Sequence, residues 1–431
     1  MSYFLATRAP LRAGSLLARA RSFTANPSES IASEEIRSNA ATTDPLAAAP
    51  GETFRACDLE VQRSNHGLSL PEDLTKLSFG HDFAPHQLSV QWSSDRGWGR
   101  PVVKAIEDIT LHPSAPVFHY GLGCFEGMKA YASECKEGDV LMFRPEMNME
   151  RLRFSMGRLN LPSFDTSELL GCLKRLLKED KDFVPRAPGY SLYLRPFAIG
   201  TNAFLGVAPA TECEIRVITC PVGPYYPTGL VPIDLLLDED HVRAFPGGTG
   251  QYKVGGNYAP TLEHLHRAKD FGCKQVLYTI PGAAAVLGGA RGGSRYISEC
   301  GAMNMFFLLE NGKTGVRELV TPPLDGTILG GVTRDSILQL CREWDEFVVS
   351  ERMISVEEIQ THARGGTLVE VFGSGTACVV QPVSSLIREN GERLETRKGL
   401  RKKDKVSERA YKALTDIQYG RIHHPWSESI Y

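Results

Sequence analysis

Apolar residues recur along this chain with two different periods. In NMERLRFSMGRL (148–159), Met149, Leu152, Met156 and Leu159 are spaced by three, four and three, as one face of a helix requires. TSELLGCLKRLLKEDKDFV follows with leucines at 169, 170, 173, 176 and 177 and Thr166 as an N-cap, so a second helix is predicted there. VLMFRP (140–145), YSLYLRPFAIG (190–200) and IDLLLD (233–238) carry β-favouring or aromatic runs and read as strands. APTLEHLHRAKDFG reads as a helix with Pro260 near its first turn and Gly272 past its end. MNMFFLL, RELVTPP, TRDSILQLCREW, TLVEVFGSGTACVV and a basic, polar C-terminal helix complete the pattern. Strands and helices alternate imperfectly, which favours an α+β fold over a doubly wound sheet.

The breaks in this pattern predict the domain organisation. PVGPYYPTG (221–229) packs three prolines and two glycines into one short stretch, as a linker would. The expected division is a leader over 1–55, a small N-terminal domain over 56–221, a linker over 222–232 and a larger domain over 233–431. The glycine-heavy PGAAAVLGGARGGSRY (281–296) reads as a surface loop. The first 28 residues hold four arginines, four serines and no acid before Glu29, with Leu5, Leu11, Leu16 and Leu17 among them. That is the composition of a mitochondrial import sequence and predicts a matrix location.

Composition adds mainly exclusions. With a net charge of -3 there is no electrostatic case for nucleic acid or an acidic membrane surface. No apolar run approaches the roughly 20 residues of a membrane span. The ten cysteines are scattered without close CxxC pairs, so neither a zinc cage nor a disulfide scaffold is predicted, and reduced thiols are expected. Of the histidines, His264 and His266 lie two apart on a predicted helix and point away from each other. No metal site is therefore expected.

The stretch GTGQYKVGGNYAP carries the candidate chemistry. Lys253 stands among Gly248, Gly250, Gly255 and Gly256, with Tyr252 and Tyr258 beside it. A phosphate-cradling loop of the form GxxxxGK[ST] is excluded, because Tyr252 and Val254 flank the lysine. The setting suits an amine held in a pocket, its pKa lowered by desolvation so that it attacks a carbonyl as a Schiff-base nucleophile. The glycines are expected to let the backbone pass close to a bound group.

Seven stretches, in order, make a resemblance specific: YGLGCFEGMKAY (120–131), FRPEMNMERL (143–152), LYLRP (192–196), QYKVGGNYAP (251–260), ECGAMNMF (299–306), GGVTR (330–334) and EVFGSGTAC (370–378). From about residue 56 to the C-terminus the chain resembles the branched-chain amino acid aminotransferases, two-domain pyridoxal phosphate enzymes of fold type IV. By that resemblance Lys253 is the catalytic lysine that binds pyridoxal 5'-phosphate and shuttles the substrate proton. Glu299 matches the carboxylate at the pyridine nitrogen, and Tyr258 the contact to the ring's phenolic oxygen. Arg151 matches the phosphate arginine, whose planar fork suits a dianion. Gly331, Val332 and Thr333 match the helix start that binds the phosphate, and Thr376 completes that cup. Tyr193 and Arg195, two apart on a strand and so on one side, match the carboxylate-recognition side. Tyr120, Phe125 and Tyr225 match the apolar wall of the substrate pocket, and Ala377 a backbone contact to the α-carboxylate.

The resemblance implies transamination between leucine, isoleucine or valine and 2-oxoglutarate by a homodimer. The chain departs from the pattern at Ala302, where animal members often carry threonine, and at Gly330, where proline is usual. Cys378 is followed three residues later by Gln381, so a CxxC redox pair is not expected. Two other readings fit the residues: a specialised-pathway aminotransferase acting on another aliphatic or aromatic amino acid, and a non-catalytic binding protein that keeps the fold.

Overall fold

Two large sheets organise the chain. In the computed structural model, residues 53–64, 68–224, 230–282 and 293–431 are described. The predicted import sequence, Tyr225 and the centre of the 281–296 loop therefore lie outside the described residues. What is described from Thr53 onward belongs to a single compact unit.

The first sheet has ten strands and is built mainly from the N-terminal half. At its centre Glu212–Val222 pairs antiparallel with both His86–Ser93 and Ser191–Gly200, and Ser191–Gly200 pairs with Met128–Ala132. Its edge comes from the far end of the chain, where Ser427–Ser429 pairs antiparallel with Val140–Phe143. The segment after 233 thus does not stay within the second sheet.

Helices Pro145–Arg158 and Thr166–Glu179 cover one face of this sheet. Met149, Leu152 and Met156 of the first, and Leu169, Leu173, Leu176 and Leu177 of the second, are buried in one core with Leu88, Leu192 and Val217 from the strands. The cap differs from the expected residue. Asp165 rather than Thr166 accepts from the backbone N–H groups of Ser167 and Glu168. In the run DTSE two neighbouring residues can cap, and the carboxylate also gains from the helix dipole.

The second sheet has nine strands. Ile233–Asp238 lies between Gln275–Pro281 and Val379–Arg388, parallel to both. Asn304–Glu310 runs between Arg317–Thr321 and Leu368–Gly375, antiparallel to both. The MNMFFLL run does not alternate because both its faces are covered. Phe306 and Leu308 enter a core with Ile337, Leu338, Ala410 and Leu414 of helices Val332–Trp344 and Val406–Gln418. Met305, Phe307 and Leu309 enter another with Val356 and Ile359 of helix Val356–Arg364.

The segment that carries Lys253 is held by the first sheet and its helix Pro145–Arg158. The Lys253 backbone N–H donates to Ser155 Oγ at 2.9 Å, and its carbonyl accepts from the Phe125 N–H at 3.0 Å. Of the surrounding glycines, Gly250 has a steric reason in the protein itself. A Cβ there would stand 2.4 Å from the Thr327 carbonyl oxygen and 2.6 Å from Ala244 Cβ. At Gly256 nothing lies within 4 Å, and at Gly255 only the Gly123 oxygen at 3.9 Å. At Gly250 the close approach that requires glycine is therefore between chain segments.

Candidate active site

A cavity of about 300 Å³ opens between the sheets and gathers nearly all the residues singled out from sequence. Phe125, Arg151, Tyr193, Arg195, Lys253, Tyr258, Glu299, Ala302, Val332, Thr333, Thr376 and Ala377 line it, with Gly331. Tyr120 does not. It ends the short helix Pro116–Tyr120, is 48% exposed, and donates its hydroxyl to the Leu205 carbonyl.

Lys253 reaches into the cavity with Nζ 3.4 Å from Tyr258 Oη and over the ring of Phe125 at 4.9 Å. Burial, reinforced by the charge of Arg151, draws the amine down to about 8. About a tenth of it is then neutral at pH 7, against well under a hundredth at the ordinary lysine value, and a nucleophile or base needs that form. Burial and the Glu299 charge raise the Tyr258 hydroxyl, so it stays a proton donor.

Glu299 stands at the end of strand Arg295–Cys300 with 2% of its side chain exposed. Arg243, which the sequence reading did not single out, holds it at 2.7 Å, and the Leu329 N–H donates to it at 3.0 Å. Burial pushes this carboxyl above the usual range, with the Arg243 charge opposing. Its closeness to Lys253 and Arg151 also favours the anion.

Arg151 is used differently from the expectation of a free fork. Its Nε and Nη2 donate to the two carboxylate oxygens of Glu126 at 2.7 and 2.8 Å, and Nη1 donates to the Gly330 carbonyl at 2.9 Å. The bidentate edge of the guanidinium is thus filled by protein. Only its remaining N–H groups are left for a ligand. Glu126, fully buried, also accepts from Asn148 at 2.8 Å and from the Gly127 N–H at 3.1 Å. It sits inside the YGLGCFEGMKAY stretch, so its position was in view but its partner was not.

Beside Arg151, helix Val332–Trp344 begins with no side-chain cap. Its first N–H groups lack intrahelical acceptors, and the N-terminal dipole favours an anion. Asn304 fixes the turn that leads into it, donating to the Leu329 carbonyl at 2.8 Å, and a Cβ on Gly331 would stand 2.1 Å from Asn304 Oδ1. The opposite rim, Thr376 and Ala377, is tethered by Lys129, whose Nζ donates to the Ala377 carbonyl at 2.9 Å.

On the far wall Tyr193 and Arg195 do face one side: Arg195 Nη2 donates to Tyr193 Oη at 3.0 Å. The guanidinium lies over the Phe125 ring at 4.7 Å. Arg195 Nε and Ser374 Oγ, both from cavity-lining residues, are buried without a hydrogen-bond partner among the described residues. Unpaired buried polar atoms are costly, and these two belong to residues on the wall of the cavity. Phe79, also missed from sequence, closes this side with its ring 5.1 Å from that of Tyr193.

A buried amine of lowered pKa, a carboxylate held by Arg243, an uncapped helix start and the Arg195 guanidinium around one cavity make up the site of a group-transfer enzyme. Residues 123–386 match the amino-transferase class IV family. The chain belongs to that family. Its relatives include the cytosolic branched-chain-amino-acid aminotransferase of Caenorhabditis elegans, 43% identical over 378 residues, covering 86% of this chain and 88% of that protein. The mitochondrial branched-chain-amino-acid aminotransferase of Mus musculus is 42% identical over 376 residues, covering 86% and 91%. The fold matches the branched-chain amino acid aminotransferase of Thermobaculum terrenum in its PLP-form with a TM-score of 0.62 at 20% identity, over 81% of this chain and 99% of that one.

Proposed function

We infer that this chain is a branched-chain-amino-acid transaminase that moves the amino group of leucine, isoleucine or valine to 2-oxoglutarate. The observation that carries the reading is the convergence of Lys253, Tyr258 and Glu299 with the uncapped helix start in one cavity. The donor set fits pyridoxal 5'-phosphate. Lys253 would hold its aldehyde carbon, Glu299 its pyridine nitrogen and Tyr258 its phenolic oxygen. The N–H groups of Val332 and Thr333, the Thr376 hydroxyl and the spare N–H groups of Arg151 would hold its phosphate. When bound, this cofactor supplies an electron sink for charge developed at the substrate Cα.

The protein's own residues do the rest. Lys253 Nζ takes the proton from the substrate Cα and later returns a proton to the group being aminated. Arg195 and Tyr193 orient the substrate carboxylates. The Phe125 ring and the methyl of Ala302 shape an apolar space for a branched side chain and exclude water from it. The test is spectroscopic: leucine alone should convert the visible absorption of the cofactor-loaded protein to the amino form, and 2-oxoglutarate should reverse it. A response only to another class of amino acid would favour a specialised-pathway enzyme, and no cofactor uptake would leave a non-catalytic binding protein.

The lowered lysine pKa has a kinetic consequence. Only the neutral amine captures the cofactor, so the uptake rate of stripped protein is expected to rise with pH around a midpoint of about 8. Stopped-flow measurement of that rate checks it; a midpoint at the ordinary lysine value of about 10.4 would show an amine in a water-like setting.

The protein acts as a homodimer on this reading. Phe118, Tyr120, Phe204, Leu205 and Val207 are between 48% and 85% exposed, and the bond from Tyr120 to Leu205 draws their two segments together. An apolar patch of this kind is suited to association. Val207→Asp is expected to shift sedimentation toward a monomer, whereas unchanged sedimentation would move the interface elsewhere. The arginine-rich, acid-free start supports import into the mitochondrial matrix, which fusion of residues 1–55 to a reporter protein tests. The division into 56–221 and 233–431, joined by 222–232, remains the proposed domain organisation, and limited proteolysis at the linker tests it.

A further inference from the structure

Outside the cavity, three side chains able to ligate a metal, two from one turn and one from a helix, converge at the end of strand Ile233–Asp238. Asp238, His241 and His264 each offer a donor atom, and these atoms lie within 4.8 Å of one another. His264 comes from helix Thr261–Asp270, and its partners are the acid and imidazole that the local spacing of His264 and His266 could not reveal. Nδ1 of His241 is 3.1 Å and Nδ1 of His264 3.9 Å from the same oxygen, Asp238 Oδ2. Two ligands on a tetrahedral zinc ion, at metal–ligand distances of about 2.0–2.2 Å, stand roughly 3.4 Å apart. The observed separations bracket that value.

The surroundings orient the carboxylate. Asp238 Oδ1 accepts from the backbone N–H groups of Asp240 and His241 at 3.0 and 2.8 Å and also lies 3.2 Å from His241 Nδ1, while Oδ2 lies nearest both rings. The Asp238 carbonyl accepts from Thr279 Oγ1 at 2.8 Å. Such outer contacts fix first ligands in metal sites. The two imidazole rings lie 4.4 Å apart. A structural pairing would need one imidazole at this carboxylate. The second stands at 3.9 Å, beyond hydrogen-bond reach, and takes Tyr278 Oη at 3.2 Å instead, a contact it would release on coordination. The Asp238 side chain is 1% and that of His264 15% exposed, while His241 is 47% exposed and leaves a path from solvent.

We propose that Asp238, His241 and His264 form a site for a borderline divalent transition-metal ion, zinc foremost, separate from the catalytic cavity. Two imidazoles and one carboxylate, without thiolate, suit such an ion better than calcium or magnesium, which select oxygen ligands. None of the three residues lines the cavity, so the site stands whether or not the transaminase reading does.

The experiment is calorimetric titration of Zn²⁺ into the full-length, cofactor-loaded protein after chelator treatment, beside His241→Ala, His264→Gln and the double variant. Cobalt(II) absorption serves as a second readout of imidazole coordination. Wild type should bind one Zn²⁺ per chain at a site that each single variant weakens at least about tenfold and the double variant loses, with circular dichroism unchanged. His241 is exposed enough that its variant should fold even if the double variant does not. Zinc binding that persists undiminished in His241→Ala, no such site in wild type, or equal binding of Mg²⁺ would each overturn the proposal.

Discussion

Lys253→Ala is expected to abolish turnover while leaving the protein folded. The fold survives because the contacts that seat residue 253 are made by its backbone, to Ser155 Oγ and the Phe125 N–H, and both persist in the variant. The side chain is another matter. On the proposed reading its amine carries the proton at the substrate Cα, with Tyr258 Oη beside it at 3.4 Å. Loss of a positioned acid–base group alone costs about 10²–10⁴-fold, and the covalent hold on the cofactor goes with it. Glutamate formation from leucine and 2-oxoglutarate should therefore fall by more than about 10³-fold. Added methylamine, small enough to enter the vacated space, should restore part of the rate. A variant that keeps a tenth of the wild-type rate would assign the proton transfer elsewhere.

How much of this site was legible from sequence follows from which constraints are local. The faces of helices Pro145–Arg158 and Thr166–Glu179 are local, and their leucines and methionines are buried as the spacing requires. Tyr193 and Arg195 share a side because a strand alternates, and they are bonded. The ordered stretches assign Lys253, Glu299 and the helix start to one cofactor, and all three line one cavity. What stayed hidden were pairings across the chain. Nothing periodic ties Arg243 to Glu299, Asn304 to the turn before Gly331, or Lys129 to Ala377. The outward position of Tyr120 was equally hidden, because a five-residue helix sets its direction and not an apolar pattern. The Asp238–His241–His264 cluster is half of this class: a local turn brings His241 to Asp238, but only the packing of helix on strand brings His264 to them.

The Glu126–Arg151 pair is where such a hidden partnership should have its largest energetic effect. Burial alone would raise the Glu126 carboxyl, but the charge and hydrogen bonds of Arg151 outweigh it and hold it below the usual range. The two side chains are 0% and 10% exposed, so neither can turn to water when the other is lost. Glu126→Gln keeps the shape but places an amide N–H₂ among donors from Arg151, Asn148 and Gly127. Breaking a buried pair in this way costs about 3–5 kcal/mol, and denaturant unfolding of the stripped protein should show that loss. If Arg151 faces the cofactor phosphate, the dianion supplies the missing countercharge, so the loss should be smaller when pyridoxal phosphate is saturating. Equal losses in the stripped and loaded proteins would separate Arg151 from the phosphate. The same variant removes an anion that props up the Lys253 amine, so the pH midpoint for cofactor uptake should move below that of wild type. The two readouts are independent, one measuring the countercharge on Arg151 and the other the field at Lys253, and a merely structural role for Glu126 would move the first without the second.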